Sequence, residues 1–204
     1  MNFTENIVLE NNRVRLEPLS EIHLNELVPI TINHPNLLQY SPSPFGTKEF
    51  LKENIQNAIQ SRVDQQRYPL AVFDKLNNRF IGSTSFGNIS IKDKRLEIGW
   101  TWIGKESQGT GLNKYCKHLM LSHAFEKLNV QRVEFKTDIR NIQSKKAIEK
   151  IGGIFEGILR SHTLMLDGHR RDTACYSILK SEWTIINNTI FKEIKTEHNA
   201  MYSA

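Results

Sequence analysis

Apolar and polar residues alternate through Val14, Leu16 and Pro18 in "IVLENNRVRLEPL", a period of two that predicts a strand, with Asn11-Asn12 as the turn before it. The period then lengthens. Ile22, Leu24, Leu27 and Val28 recur near helical spacing, and Pro29 and Pro35 are expected to interrupt them, leaving a short helix and an irregular loop. Thr47 opens a second helix with Phe50, Leu51, Ile55, Ile59 and Val63, because its hydroxyl can accept a hydrogen bond from a first-turn amide. Three β-like runs follow, "YPLAVFDK", "RFIGSTSFGNIS" and "RLEIGWTWIG", separated by Asn77-Asn78 and by "KDKR"; they predict an antiparallel meander. The strongest helical period is Leu112, Tyr115, Cys116, Leu119, Met120, Ala124 and Leu128. "VQRVEFKTD" then predicts a strand and "SKKAIEKIGG" a short helix ended by glycines. "FEGILRSHTLMLDGHRRDTACYSIL" predicts two strands joined at Asp167-Gly168. This order predicts one α/β (α+β) domain around a central mixed sheet, over residues 1–183, with 184–204 as a C-terminal tail.

Composition narrows the class without naming a function. The chain has 204 residues, 39% hydrophobic and 24% charged, which suits a soluble globular domain with a substantial core. The formal charge of +5 comes from scattered Lys and Arg, so it points only weakly to an anionic ligand or acidic partner. The basic residues are not interleaved with aromatics in a recognition motif, and nucleic acid is not expected as a partner. Cys116 and Cys175 lack metal-ligand spacing and are expected to be reduced core residues in a cytoplasmic protein; no metal is expected. The first residues, "MNFTENIVLE", lack a leader pattern, and no run approaches 18 apolar residues, so no membrane partner is expected either.

The chemistry-bearing stretch is "ESQGTGLNKY". It places Gly109 and Gly111 between a strand and the strongest helix. A helix start leaves free N–H groups at the positive end of the helix dipole, and glycine lets a phosphate approach the main chain closely. A plain strand-to-helix connection is the competing reading. The stretch lacks the Gly-Lys-Ser/Thr ending of a phosphate-binding loop and the three-glycine dinucleotide fingerprint, so neither ATP hydrolysis nor nicotinamide chemistry is supported.

Gln108-Gly109-Thr110-Gly111-Leu112-Asn113 resembles the Q/R-x-x-G-x-G/A signature of the GNAT superfamily of acyl-CoA N-acyltransferases. Gln108 and Gly111 match; Asn113 departs from the usual final Gly or Ala. The resemblance runs from about Val8 to Trp183. "VRLEPL", "LEIGWTWIG", "AFEKLNVQRVEFKTDIRNIQSKKAIEKIGGIFEGILR" and "DGHRRDTACYSILKSEW" are similar to the branch containing the RimJ/RimL ribosomal-protein N-terminal acetyltransferases.

That resemblance implies a single GNAT-like domain with a mixed, mostly antiparallel sheet flanked by helices. It also implies acetyl-CoA as acyl donor and a primary amine as acceptor, either a protein N-terminus or a small molecule. The implied donor-binding residues are Trp102, Ile103, Gln108, Gly109, Thr110, Gly111, Leu112, Asn113 and Asn141. The pyrophosphate would lie on the glycine-loop amides, and the pantetheine arm along the preceding strand, around Trp100 to Ile103, where it splays from its neighbour. Transfer would proceed by direct amine attack through a tetrahedral intermediate, which requires amine deprotonation and oxyanion stabilisation. The tyrosine acid of many relatives is replaced here by Ile148, and Ser144 occupies the RimL-like alternative position; Ser144 could equally cap a helix. For the base, RimL-like proteins suggest a carboxylate where this chain has Thr163. Glu97 and the adjacent His162 are the candidates here, with Glu134 weaker; strand alternation could turn His162 away from the site. Members of this branch are found as monomers and homodimers. A binding module that retains acetyl-CoA without turnover is the alternative from a different class.

Overall fold

A computed structural model describes residues 1–194. β1 (Leu9–Glu10) and β2 (Val14–Pro18) form a hairpin across Asn11-Asn12, as their alternation predicts. A single 3₁₀ turn, Glu21–His23, leads into α1 (Leu24–Asn33). Pro29 lies inside α1 rather than ending it. Proline removes one backbone donor, but burial of Leu27 and Thr31 holds the helix through it, so the expected interruption is displaced to the loop around Pro35. α2 (Lys48–Val63) starts where Thr47 Oγ1 accepts from Phe50 N at 3.1 Å.

The meander is β3 (Arg67–Asp74), β4 (Arg79–Ser90) and β5 (Arg95–Ile103). α3 (Leu112–Ser122) follows the glycine loop and widens over His123–Lys127, where Leu128 N bonds to His123 O five residues back. Then come β6 (Arg132–Asp138), α4 (Ile142–Lys150), β7 (Ile154–Leu164), β8 (Arg170–Leu179) and α5 (Lys180–Thr189). The eight strands form one sheet in the order β1-β2-β3-β4-β5-β6-β8-β7. Only β5 and β6 pair in parallel, so the sheet is mixed and mostly antiparallel.

Both faces of the sheet are covered, but not equally. On one face Leu70, Phe86, Ile98 and Phe135 pack with Leu112, Cys116 and Met120 of α3, Ile148 of α4 and Trp183 of α5. Ile186, Phe191 and Ile194 belong to the same core. On the other, Leu27 of α1 and Leu51, Ile55 and Ala58 of α2 pack on Ala71, Phe80 and Trp102. These helices cover one end of that face. Toward its other end the row Arg67, Gly87, Glu97, Glu134 crosses β3, β4, β5 and β6 with side chains on the same side. Polar residues on the central strands are therefore left beside a cleft. Among the described residues, no helix is long and apolar enough to cross a membrane.

Candidate active site

The donor half of the cleft is made of main chain. After β5, a 3₁₀ turn over Lys105–Ser107 brings the chain to Gly109 and Gly111, whose φ values of 75° and 84° lie in the left-handed region that favours glycine. A Cβ at either glycine would meet nothing within 4 Å, so both face open space and backbone conformation, rather than crowding, selects glycine there. Gln108 N is bonded to Lys105 O and Lys114 N to Gly111 O; the amides of residues 109–113 between them have no partner among the described residues. They stand at the first turn of α3, where the helix dipole favours an anion. Asn113 Oδ1 is also buried without a partner.

The side chains around these amides brace the loop. Gln108 donates Nε2 to Ile103 O and accepts from Gln143 Nε2, both at 2.8 Å, tying β5 to α4. Thr110 Oγ1 donates to Ser107 O at 2.8 Å, and Leu112 anchors the helix start in the core. Trp102 and Ile103 are buried, with Trp102 against Phe45 at 5.2 Å, so any ligand contact along this strand uses backbone.

The middle of the cleft is a split in the sheet. β5 pairs with β6 only from Arg95 to Glu97, opposite Arg132 to Glu134. Beyond that β5 follows β4 to Ile103, while β6 follows β8 to Asp138. The register of β5 against β4 slips between Ser83 and Ser85, and Trp100 within the resulting bulge has φ 51°. Backbone groups on the open edge can therefore take an extended amide-bearing ligand as an added strand. The indole of Trp100 folds over Gly87, where a Cβ would come within 2.4 Å of the ring.

Lys117 of α3 sits under this bulge. It is buried, donates from Nζ to Thr101 Oγ1 at 2.7 Å and Thr84 Oγ1 at 3.3 Å, and burial pushes its pKa down to about 8. On the sequence it reads as a polar position beside an apolar helical stripe, and nothing in the spacing distinguishes it from a surface lysine.

The acceptor half is made of side chains. A cleft of about 1500 Å³ runs from the glycine loop past the split to residues 36–43, and its one carboxylate among the described residues is Glu97, against six lysines and three arginines. Glu97 is buried, and its Oε2 accepts from Lys136 Nζ at 2.9 Å and Asn88 Nδ2 at 2.8 Å. Burial works against the charge on Lys136, but Glu97 and Glu134 outweigh it and raise the pKa of Lys136. The ammonium of Lys136 thus stays charged against Glu97 Oε2, while Glu97 Oε1 lies beside Gly99 on the same face. Glu134 also bonds to Arg132 and Lys136 but does not line the cleft.

His162 does line the cleft, and so does Thr163. Strand alternation would separate them. β7 is irregular between Leu159 and Thr163, however, with Ser161 at φ 51°, and the expected alternation fails there. His162 Nδ1 lies 3.1 Å from Thr173 Oγ1 and 3.3 Å from Thr163 Oγ1. Ser144 stands at the opposite wall on α4. Asn141 caps this helix by accepting from Ser144 N at 3.0 Å, so the capping reading belongs to Asn141, and Ser144 presents itself to the cleft. The Asn141 side-chain Nδ2 is left with no hydrogen-bond partner among the described residues, while its backbone N–H donates to Asp138 O.

Comparison with known proteins accounts for this arrangement. The family described as "Acetyltransferase (GNAT) domain" matches residues 13–154. "Putative ribosomal N-acetyltransferase YdaF" of Bacillus subtilis (strain 168) is 34% identical over 102 residues, 50% of this chain; the alignment spans about half of YdaF, 55%. A GCN5-related N-acetyltransferase from Brucella melitensis superposes with a TM-score of 0.85 at 26% identity, over 92% of this chain and 85% of that one. RimL, a ribosomal L7/L12 α-N-protein acetyltransferase, shares the fold with a TM-score of 0.75 at 19% identity, over 88% of this chain and 97% of its own. The family match covers most of the chain, including both the glycine loop and the split between β5 and β6, and on that ground the protein belongs to the GNAT acetyltransferases, with RimJ/RimL-like relatives.

Proposed function

We propose that this acetyltransferase uses acetyl-CoA to acetylate the α-amine of a protein N-terminus. The observation that carries the reading is the pairing of free amides at residues 109–113 with the open edge of β5, which together suit a ligand with a pyrophosphate at one end and an extended amide arm at the other. Bound there, acetyl-CoA supplies the activated acetyl thioester. Asn141 offers its side-chain amide to the arm, and Lys114 and Lys146 line the phosphate end of the cleft.

Glu97 is the proposed base, receiving the proton of the incoming ammonium directly or through one water at Oε1, while Lys136 and Asn88 hold Oε2. A main-chain N–H on the open edge of β5 stabilises the oxyanion. Ser144 donates a hydrogen bond to the departing thiolate and relays to it the proton shed by the nitrogen of the tetrahedral intermediate; a thiol of pKa about 8.5 needs little help, so its contribution is small. His162 flanks the acceptor entrance and is the second base candidate.

A protein N-terminus is favoured over a polyamine or aminoglycoside by charge. At the acceptor end Arg67, Lys136 and Arg171 face a single carboxylate, Glu97, and a polycation would be repelled from it. The names of YdaF and RimL, with their ribosomal and L7/L12 substrates, support the same choice. Incubation with acetyl-CoA and a set of N-terminal peptides is the test. The expected result is thiol release matched by one acetyl group on the peptide α-amine and its loss when that amine is blocked. Acetylation of polyamines alone would reject the reading, and binding of acetyl-CoA without release for any amine would favour a non-catalytic module.

A further inference from the structure

Arg67 lines the cleft without a carboxylate partner among the described residues and stands far from the phosphate end of the donor site. It opens β3, and its backbone lies in the row Arg67, Gly87, Glu97, so it stands two strands from the proposed base, about 10 Å at the usual strand spacing. The last residue of β5, next to the glycine loop, is Ile103, six residues beyond Glu97 or roughly 20 Å along the strand. A phosphate on that loop is out of its reach.

The side chain is half-buried. Its Nε donates to Ser85 Oγ at 2.8 Å, and its guanidinium stacks on the Trp100 indole at 5.0 Å. No carboxylate pairs with it among the described residues, whereas Arg13 pairs with Asp74; Arg171, which also lines the cleft, spends its N–H groups on Tyr40 O and Thr173 Oγ1. Burial without an anionic partner pulls its pKa down to about 10, which still leaves it charged at neutral pH. A desolvated guanidinium fixed at one nitrogen and stacked on a ring presents its other N–H groups to the cleft in a fork suited to a carboxylate.

We propose that Arg67 is a specificity residue that binds a carboxylate carried by the acceptor peptide within its first three residues. The inference rests on the N-terminal acetyltransferase reading above. With the α-amine at Glu97, an extended peptide advances about 3.3 Å per residue, and the acidic side chain of its second or third residue spans the distance across Trp100 to Arg67. Arg67 acts on acceptor choice and takes no part in moving protons.

The test compares kcat/KM at saturating acetyl-CoA for peptides that differ only in Asp, Asn or Lys at positions two and three, using the wild type, Arg67→Gln and Arg67→Lys. An unchanged acetyl-CoA thermal shift certifies that each variant is folded. The wild type is expected to prefer the Asp peptide over its Asn counterpart by about 10-fold or more, as expected for a charge-assisted pair. Arg67→Gln is expected to reduce that ratio to within about twofold, and Arg67→Lys to restore part of it. Equal rates for Asp and Asn peptides in the wild type, or an Asp preference that survives Arg67→Gln, would overturn the proposal and leave N-terminal acetylation standing. Failure of every peptide to react, with acetyl-CoA still bound, would instead refute the N-terminal reading and this inference with it.

Discussion

The two halves of the cleft are built from different materials. The donor half uses backbone amides at residues 109–113 and the unpaired edge of β5, whereas the acceptor half uses side chains: Glu97, Lys136, Arg67, Trp100 and His162. A main-chain site needs only glycine at two positions of positive φ and a helix to follow, so it tolerates varied neighbours and can take the invariant part of a reaction, the acyl carrier. A side-chain site changes with every substitution and can take the variable part, the acceptor. One fold can thereby keep its donor while relatives diverge in what they acetylate.

The largest expected effect lies in the acceptor half. Glu97→Gln removes the proposed proton acceptor and is expected to lower kcat by about 10²-fold to 10⁴-fold, with little change in the acetyl-CoA thermal shift. Single-turnover thiol release at fixed pH measures it; a loss below tenfold would move the base to His162. Next comes the donor half. Gly111→Asp places a non-glycine residue at φ 84° and a negative charge against the phosphate position. Titration calorimetry is expected to show acetyl-CoA binding weakened by about 100-fold, and retention of wild-type affinity would remove the loop from the donor site.

The smallest effect concerns the residue between the halves. Lys117 has its pKa lowered to about 8 by burial, so between about pH 8 and the unfolded value near 10.4 the unfolded chain binds more protons than the folded one. This group therefore makes wild-type stability rise with pH across that window, and below it imposes a constant cost. Lys117→Met is expected to raise stability at pH 7 by about 1–3 kcal/mol and to abolish that rise, because Thr84 and Thr101 remain bonded to each other at 2.7 Å. Denaturant melts at pH 7 and pH 10 measure both; a less stable variant at pH 7 would show that the ammonium holds the bulge together.

The same contrast explains what could be read before the structure. The meander, the Thr47 cap, the long helix and the glycine loop are local patterns with a fixed period or a fixed turn residue, and each is legible along the chain. Pro29 was not, because tertiary packing of Leu27 and Thr31 overrides a local breaker. The side on which His162 falls was not, because β7 carries two extra residues against β8 between Leu159 and Thr163, around Ser161, and the period-two argument breaks down there. Arg67 and Lys117 carry no local signal at all: their burial and their lack of a carboxylate partner arise from strands and helices far apart in sequence. The donor site was thus readable as a motif, and the acceptor site only as a place.

The central claim, a main-chain donor site beside a side-chain acceptor site, is tested most directly by a crystal structure with acetyl-CoA bound. The expected result places pyrophosphate oxygens within hydrogen-bond distance, about 2.7–3.2 Å, of amides in residues 109–113, with the arm along β5 between Ile98 and Ile103 and the acetyl group facing Glu97. A pyrophosphate held elsewhere by side chains, or an arm that leaves the β5 edge open, would contradict it.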